Sequence, residues 1–189
     1  CIRDRFYLAY SLLIGKGAGQ NEAQGIAALS ALAADGHVEA MMHLANHYRE
    51  TGYDQGREVF DRIKELYERA LKAGSPEAAL SLGVLYKEGK LVSEDLSLAF
   101  QYITLASKMG SLQADIHLAH SLAAGLGIKR DYVAARRHYL EAADNNLVGG
   151  FKGLGYLYEY GLGVRIDLVK ARAFYDLDRV ISTSVRSEN

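Results

Sequence analysis

Apolar and small side chains recur three and four positions apart along most of the chain, the spacing of an amphipathic α-helix. One five-residue pattern returns five times: a large apolar residue, a small residue after it, and Leu or Tyr four positions after the first. The blocks begin 36 residues apart, except for a step of 38 between the second and third. They are LAYSL at 8–12, LANHY at 44–48, LGVLY at 82–86, LAHSL at 118–122 and LGYLY at 154–158. The sequence therefore predicts a helical repeat array.

A second helical stretch follows a glycine-containing loop in each repeat. In four repeats a side chain that can accept hydrogen bonds from the first amides of a helix stands before this stretch: Asn21, Asp95, Asp131 or Asp167. We expect each repeat to consist of helix A, a loop, helix B and a short turn, and the repeats to stack as antiparallel helix pairs. The predicted repeats are residues 1–35, 36–73, 74–109, 110–145 and 146–178, followed by a polar tail at 179–189.

Two sets of repeat positions are interpreted as packing. The first leucine of each five-residue block is called the repeat leucine below. A small residue follows it and allows helices A and B to approach closely: Ala9, Ala45, Gly83, Ala119 and Gly155. Tyrosines recur on both helices at spacings that predict core positions, and we interpret them as packing rather than as a ligand cage: Tyr48, Tyr86, Tyr158, Tyr67, Tyr139 and Tyr175.

The composition fits a folded array and does not point to nucleic acid or to a membrane span. Of the 189 residues 49% are hydrophobic and 24% are charged, and the formal net charge of -1 gives no reason to expect nucleic acid. No apolar run approaches the roughly 20 residues of a transmembrane helix. Cys1 is the only cysteine, which excludes an internal disulfide and a cysteine-based zinc cluster.

The first residue leaves the cellular compartment open. A chain that starts at Cys1 is either processed or a piece of a longer protein. A lipid-bearing N-terminal cysteine of an exported bacterial protein is one alternative, and the periplasm or cell envelope is favoured if the protein is exported. A boundary within a longer chain is the preferred interpretation.

Signatures of catalysis and of metal binding are absent from the sequence. There is no GxSxG, no SxxK, no phosphate-binding P-loop and no GxGxxG after a strand. His43 and His47 lie four apart, and His117 and His120 three apart, but neither pair has a third ligand nearby in the sequence. We therefore predict no enzymatic activity, no metal and no cofactor.

The recurring pattern resembles the Sel1-like repeat, a relative of the tetratricopeptide repeat. The resemblance is carried by GLGYLYEYGLGVRIDLVKARAFY at 153–175 and AHSLAAGLGIKRDYVAARRHYLEAA at 119–143, and it extends over essentially the whole chain. Departures are TGYDQG in the second repeat, GKLV in the third, and Asp178 with Arg179 in place of the usual closing pair of alanines. The resemblance implies an all-α fold, a right-handed α-solenoid of about five antiparallel helix-pair repeats of about 36 residues.

The resemblance also indicates where a partner would bind. By analogy with tetratricopeptide arrays, positions two and five after the repeat leucine line the concave side of the solenoid. An extended peptide suits such a surface, because Asn46 can hold its backbone while Arg49 and Lys87 meet acidic groups. A merely solvated helix face is the alternative. The candidate partner-binding residues are Tyr10, Asn46, Arg49, Lys87, His120, Tyr156 and Glu159.

The predicted function is that of a non-enzymatic scaffold or adaptor that binds a partner protein or peptide. One alternative is a hydrolase like the cysteine-rich relatives associated with β-lactamase activity, although this chain lacks their repeated cysteines and a serine motif. Another is a spacer segment of a larger envelope protein. The apolar side chains of Ile2, Phe6 and Leu8 near the start fit the spacer alternative, because another segment can pack there. Self-association through the array ends is a further possibility.

Overall fold

The structure is a computed structural model that describes residues 2–15, 21–52 and 56–187, with side chains to residue 183. Cys1, residues 53–55 of the TGYDQG insertion and the last two residues of the predicted tail lie outside the described residues. Within the chain, residue contacts define two compact units, Cys1–Glu94 and Asp95–Asn189. They are called the N-terminal unit and the C-terminal unit below, and each is described by itself.

Ten α-helices and no strand occur in the described residues, so the predicted all-α fold of about five helix-pair repeats is confirmed. The N-terminal unit holds α1 (Ile2–Ile14), α2 (Glu22–Ala34), α3 (Val38–Thr51), α4 (Gly56–Lys72) and α5 (Pro76–Glu88). The C-terminal unit holds α6 (Leu96–Lys108), α7 (Leu112–Ala124), α8 (Tyr132–Asp144), α9 (Val148–Tyr160) and α10 (Leu168–Ser187). Within each unit every helix packs against the next one along the chain. Residues 179–187, predicted as a tail, continue α10.

Four of the five B helices begin at the predicted caps. The side-chain oxygen of Asn21 accepts a hydrogen bond from the Gln24 amide at 3.1 Å. Asp95, Asp131 and Asp167 each accept one from the amide three residues later at 2.9 Å. Such a cap stabilises a helix by about 1 kcal/mol. The carboxylate at the end of each glycine-containing loop therefore caps the first turn of the helix that follows.

Caps of the A helices are less uniform. The hydroxyl oxygens of Ser75 and Ser111 each accept a hydrogen bond from the backbone amide three residues later, and Nδ1 of His37 does the same. Leu147, which precedes α9, has no side-chain cap. The preceding turn also differs, because Asn146 takes the left-handed φ of 58° that glycine takes in the other turns.

The core follows the repeat pattern with one exception. Leu44, Leu82, Leu118 and Leu154 are all buried, whereas Leu8 is 59% exposed. The small residue after each leucine is buried in every repeat. A Cβ on Gly155 would lie 2.6 Å from Cε1 of Tyr175, which explains why glycine stands at this contact between α9 and α10.

Candidate functional site

The predicted partner-binding residues divide between the two units. Tyr10 lies on α1, Asn46 and Arg49 lie on α3, and Lys87 lies in the last turn of α5. All four are half-buried. They are called the N-terminal surface below.

A hydrogen bond from helix α4 holds one member of the N-terminal surface. The Tyr67 hydroxyl donates to Oδ1 of Asn46 at 2.6 Å, and the Tyr67 ring is fully buried. Burial raises the pKa of Tyr67 above its ordinary value, although nearby Arg49 and a hydrogen bond with Ser81 lower it. Because the hydroxyl stays protonated, it fixes the Asn46 oxygen inward. The amide NH₂ group of Asn46 then points away from Tyr67 and can donate to a ligand.

Aromatic contacts hold Tyr10, a second member of the N-terminal surface. The Tyr10 ring lies 4.4 Å from the His43 ring and is stacked on Phe6 at 6.2 Å. Burial lowers the pKa of His43, and the charge of Glu39 opposes this shift only in part. His43 is therefore neutral at pH 7, and it connects α3 to α1 through apolar ring contacts rather than through charge.

In the C-terminal unit, His120 lies on α7, and Tyr156 and Glu159 lie on α9. These three residues are called the C-terminal surface below. His120 is exposed and Tyr156 is 51% exposed, whereas Glu159 is half-buried. The Tyr156 ring lies 4.8 Å from the ring of Tyr160, which is 57% exposed. The two rings offer an aromatic contact area at little cost in side-chain entropy.

A helix B tyrosine also contacts the C-terminal surface. The Tyr175 hydroxyl donates to Oε2 of Glu159 at 2.7 Å. Burial, the hydrogen bond and the charge of Glu159 raise the pKa of Tyr175 to about 12. Burial and the neighbouring Tyr156 raise the pKa of Tyr139 to about 12 as well. Both hydroxyls therefore stay protonated at neutral pH.

Sequence reasoning missed the hydroxyl groups of the helix B tyrosines, two of which bond to predicted site residues. Tyr67, Tyr139 and Tyr175 occupy the same repeat position on helix B, and their interpretation as packing residues accounts for the rings alone. A signal was present in the sequence. The equivalent positions in two other repeats hold Leu29 and Ile103, so the fold does not need a phenol there.

The C-terminal unit also contains an unpredicted polar cluster. The Ser107 hydroxyl donates to Oδ1 of Asp115 at 2.8 Å, and Nδ1 of His138 lies 2.9 Å from the same oxygen. Asp115 is buried, and the three side chains come from α6, α7 and α8. A nucleophilic serine must give its proton to the histidine, but here serine and histidine both bond to the carboxylate. This geometry suits a structural crosslink between helices.

The histidine pairs noted in the sequence have other neighbours. Nε2 of His47 lies 3.0 Å from Oε1 of Glu22, and His43 lies in the aromatic cluster. Within the described residues no group of three or more His, Cys, Asp or Glu side chains is placed to hold a metal ion. In the same part of the chain, none of the helices combines the length and the apolar character that crossing a membrane requires.

Antiparallel helix pairs in sequence register define a helical repeat protein of the tetratricopeptide-like class. The Sel1 repeat matches residues 5–35, 76–111, 113–147 and 153–177. These matches cover more than half of the chain, which therefore belongs to the Sel1 repeat family. The unmatched residues between 36 and 75 include the TGYDQG insertion.

Solved structures of similar fold agree with this assignment. A Sel1 repeat protein from Oxalobacter formigenes superposes with a TM-score of 0.82 at 26% identity, over 95% of this chain and 73% of that one. The protein c5321, a protective antigen present in uropathogenic Escherichia coli strains, displays an SLR fold. It superposes with a TM-score of 0.80 at 22% identity, over 94% of this chain and 38% of that one.

Curated relatives match over shorter stretches. The HRD3A component of an ERAD-associated E3 ubiquitin-protein ligase from Arabidopsis thaliana is 32% identical over 71 residues, 38% of this chain and 10% of the relative. The mouse protein sel-1 homolog 2 is 43% identical over 54 residues, 28% of this chain and 8% of the relative. The matched part of the chain thus spans about a tenth of the length of these relatives. Sel1 repeat proteins are generally protein-interaction scaffolds without catalytic activity.

Proposed function

We propose that this chain is a non-enzymatic scaffold that binds a partner protein or peptide through residues of its A helices. The hydrogen bond from Tyr67 to Asn46 carries the proposal, because it orients a half-buried amide before any ligand arrives. Orienting a binding group in advance lowers the entropy lost on association.

The two surfaces suit ligands of different chemistry. In the N-terminal surface, the Asn46 amide can donate to a peptide carbonyl, while Arg49 and Lys87 attract carboxylates. In the C-terminal surface, the exposed rings of Tyr156 and Tyr160 suit apolar or cationic side chains, and Glu159 adds a negative charge. An acidic segment is therefore the expected ligand of the N-terminal surface, and an apolar or basic segment that of the C-terminal surface.

Quantitative capture from native lysate tests the proposal, with circular dichroism as the check on folding. The surface variant combines four substitutions that leave the Tyr67–Asn46 hydrogen bond intact: Arg49→Ala, Lys87→Ala, His120→Ala and Tyr156→Ala. The matched control removes four exposed cationic side chains elsewhere: Arg57→Ala, Lys72→Ala, Lys129→Ala and Arg137→Ala. We expect the surface variant to lose the partner and the control to retain it. Equal capture by wild type and surface variant would show that these residues do not bind the partner.

Two further measurements separate binding from other functions. Tyr67→Phe keeps the buried ring but removes the hydroxyl that orients Asn46, so we expect weaker partner binding with an unchanged helical spectrum. The hydrolase alternative predicts turnover of a chromogenic β-lactam. Saturable turnover by the purified chain would contradict a non-enzymatic scaffold.

A further inference from the structure

A cleft in the N-terminal unit lies between helices α2, α3 and α4. It has a volume of about 210 Å³, below the roughly 300–1,000 Å³ of pockets for drug-sized ligands. Leu44, Leu66 and Ala33 supply its apolar lining, and all three are buried. The remaining lining residues are Ser30, Tyr48, Arg62, Glu65 and Arg69. None of them belongs to the N-terminal surface.

Two guanidinium groups line this cleft. Arg62 and Arg69 lie seven positions apart on α4, two turns along the same helix face. The Arg62 guanidinium carbon lies 5.3 Å from the centre of the Tyr48 ring, which supports one face of the group. Arg69 donates through Nη2 to the Ala33 carbonyl oxygen at 2.5 Å. Both positive charges are therefore held beside the cleft.

The carboxylate that lines the cleft forms a long ion pair with one of these arginines and no hydrogen bond. Oε1 of Glu65 lies 3.9 Å from Nη1 of Arg69, which is beyond hydrogen-bonding distance, and its side chain is 70% exposed. Among the described residues, no carboxylate lies within ion-pair distance of Arg62. A ligand oxyanion could give both guanidinium groups shorter, charge-assisted hydrogen bonds.

A repeat-equivalent pair separates what the two units share from what the cleft adds. In the C-terminal unit Nζ of Lys170 lies 5.4 Å from the centre of the Tyr158 ring, as Arg62 lies over Tyr48. Oδ2 of Asp167 lies 3.7 Å from Nζ of Lys170, a long ion pair comparable with that of Glu65 and Arg69. The position equivalent to Arg69 holds Leu177, so this second pair has no second cation. A cation on a tyrosine is thus common to both units, whereas the second cation, Arg69 in the cleft, is replaced by Leu177 in the C-terminal unit.

We infer that this cleft binds a small organic anion, with a phosphoryl or carboxylate group between Arg62 and Arg69 and a short apolar body against Leu44 and Leu66. Arginine suits this task because its planar fork can give two parallel hydrogen bonds to such a group. The apolar lining should favour an aryl or alkyl ester over the inorganic ion.

Isothermal titration calorimetry with phenyl phosphate, benzoate, inorganic phosphate and benzyl alcohol tests the inference. We expect saturable binding of phenyl phosphate or benzoate that weakens as salt is added. Inorganic phosphate should bind less tightly than phenyl phosphate, and benzyl alcohol should not bind. If inorganic phosphate binds as tightly as the ester, the apolar part of the inference is wrong. The absence of saturable binding of either organic anion would overturn the whole inference.

Variants assign the binding to the cleft. Arg62→Gln, at an exposed position, should raise the Kd at least about tenfold, since a charge-assisted hydrogen bond to the ligand is lost. Lys170→Gln, the repeat-equivalent control, should leave it unchanged. Glu65→Gln should tighten binding by removing the carboxylate beside the ligand, a gain that general damage to the fold would not produce. Equal affinities of Arg62→Gln and wild type would place the anion elsewhere.

Discussion

Two places in the chain have the same repeat geometry but opposite chemistry. At the junction of α2, α3 and α4 the positions Ala33, Met41 and Leu66 are all apolar and buried. At the junction of α6, α7 and α8 the equivalent residues are Ser107, Asp115 and His138, joined through one carboxylate oxygen. In the last two repeats these positions are again apolar, with Ala143, Phe151 and Phe174.

The comparison shows that the repeat accommodates both an apolar trio and a hydrogen-bonded polar trio at the same positions. An apolar trio needs no partners. A buried carboxylate, in contrast, must be hydrogen-bonded, and a half-satisfied polar network is less stable than an apolar core. The three positions should therefore behave as a group rather than as independent sites.

The largest loss of stability is expected when one residue of the apolar trio is replaced by aspartate and the other two are left unchanged. Met41→Asp places a carboxylate at a buried position, and the side chains at the other two positions of the trio, Ala33 and Leu66, cannot hydrogen-bond to it. We expect the free energy of unfolding to fall by about 3 kcal/mol or more, measured by urea denaturation. The triple variant Ala33→Ser, Met41→Asp, Leu66→His is the control and should recover part of that loss. A single variant as stable as wild type would show that position 41 is wetter than its burial indicates.

A smaller loss is expected from removing the carboxylate of the polar trio. Asp115→Ala leaves Ser107 and His138 without their common acceptor, which should lower the free energy of unfolding by about 1–3 kcal/mol. Replacing the whole trio by Ser107→Ala, Asp115→Met and His138→Leu should bring stability within about 1 kcal/mol of wild type. If the triple variant is the less stable of the two, the trio does not behave as an exchangeable group.

The closeness of neighbouring helices differs between repeats and gives a third comparison. Ala40, Ala78 and Ala114 are fully buried, but the equivalent residue on α9 is Gly150. A Cβ there would lie 2.6 Å from the Ala143 amide nitrogen, so α8 and α9 approach too closely for alanine. We expect Gly150→Ala to lower the free energy of unfolding by about 1–2 kcal/mol, despite the better helix propensity of alanine. A more stable variant in thermal melts would contradict this close approach.

The smallest effect is expected at the helix caps. Ser111 caps α7 through its hydroxyl, whereas the equivalent residue before α9 is Leu147, which makes no cap hydrogen bond. Leu147→Ser should raise the free energy of unfolding by about 0.5–1 kcal/mol, and Ser111→Ala should lower it by a similar amount. Urea denaturation measures both. If Leu147→Ser is destabilising, burial of the leucine outweighs the missing cap.

Much of the fold could be predicted because its signals are local. The spacing of the repeat leucines predicts helix A, and Asn21, Asp95, Asp131 and Asp167 predict the starts of four B helices, as the structure confirms. Each of these features depends on residues only a few positions apart, so that chain geometry alone relates them.

The candidate surfaces could be predicted only in outline. Counting from the repeat leucine selects Asn46 and Glu159, but it does not show that each meets a tyrosine hydroxyl from helix B. Tyr67 is 21 residues from Asn46, and Tyr175 is 16 residues from Glu159. Which side chains meet across two helices depends on rotamers and on the distance between the helix axes, and a periodic pattern specifies neither.

The sequence by itself determined the helical repeats, the starts of four B helices and the family, because these depend on local spacing and on a pattern repeated in register. Only the tertiary structure decided that Ser107, Asp115 and His138 share one oxygen, and that Arg62 and Arg69 line one cleft. Ser107, Asp115 and His138 come from three separate helices, and the cleft likewise forms only where α2, α3 and α4 meet. The physical reason is that helix packing brings together residues distant along the chain, and their chemistry exists only once the helices have packed.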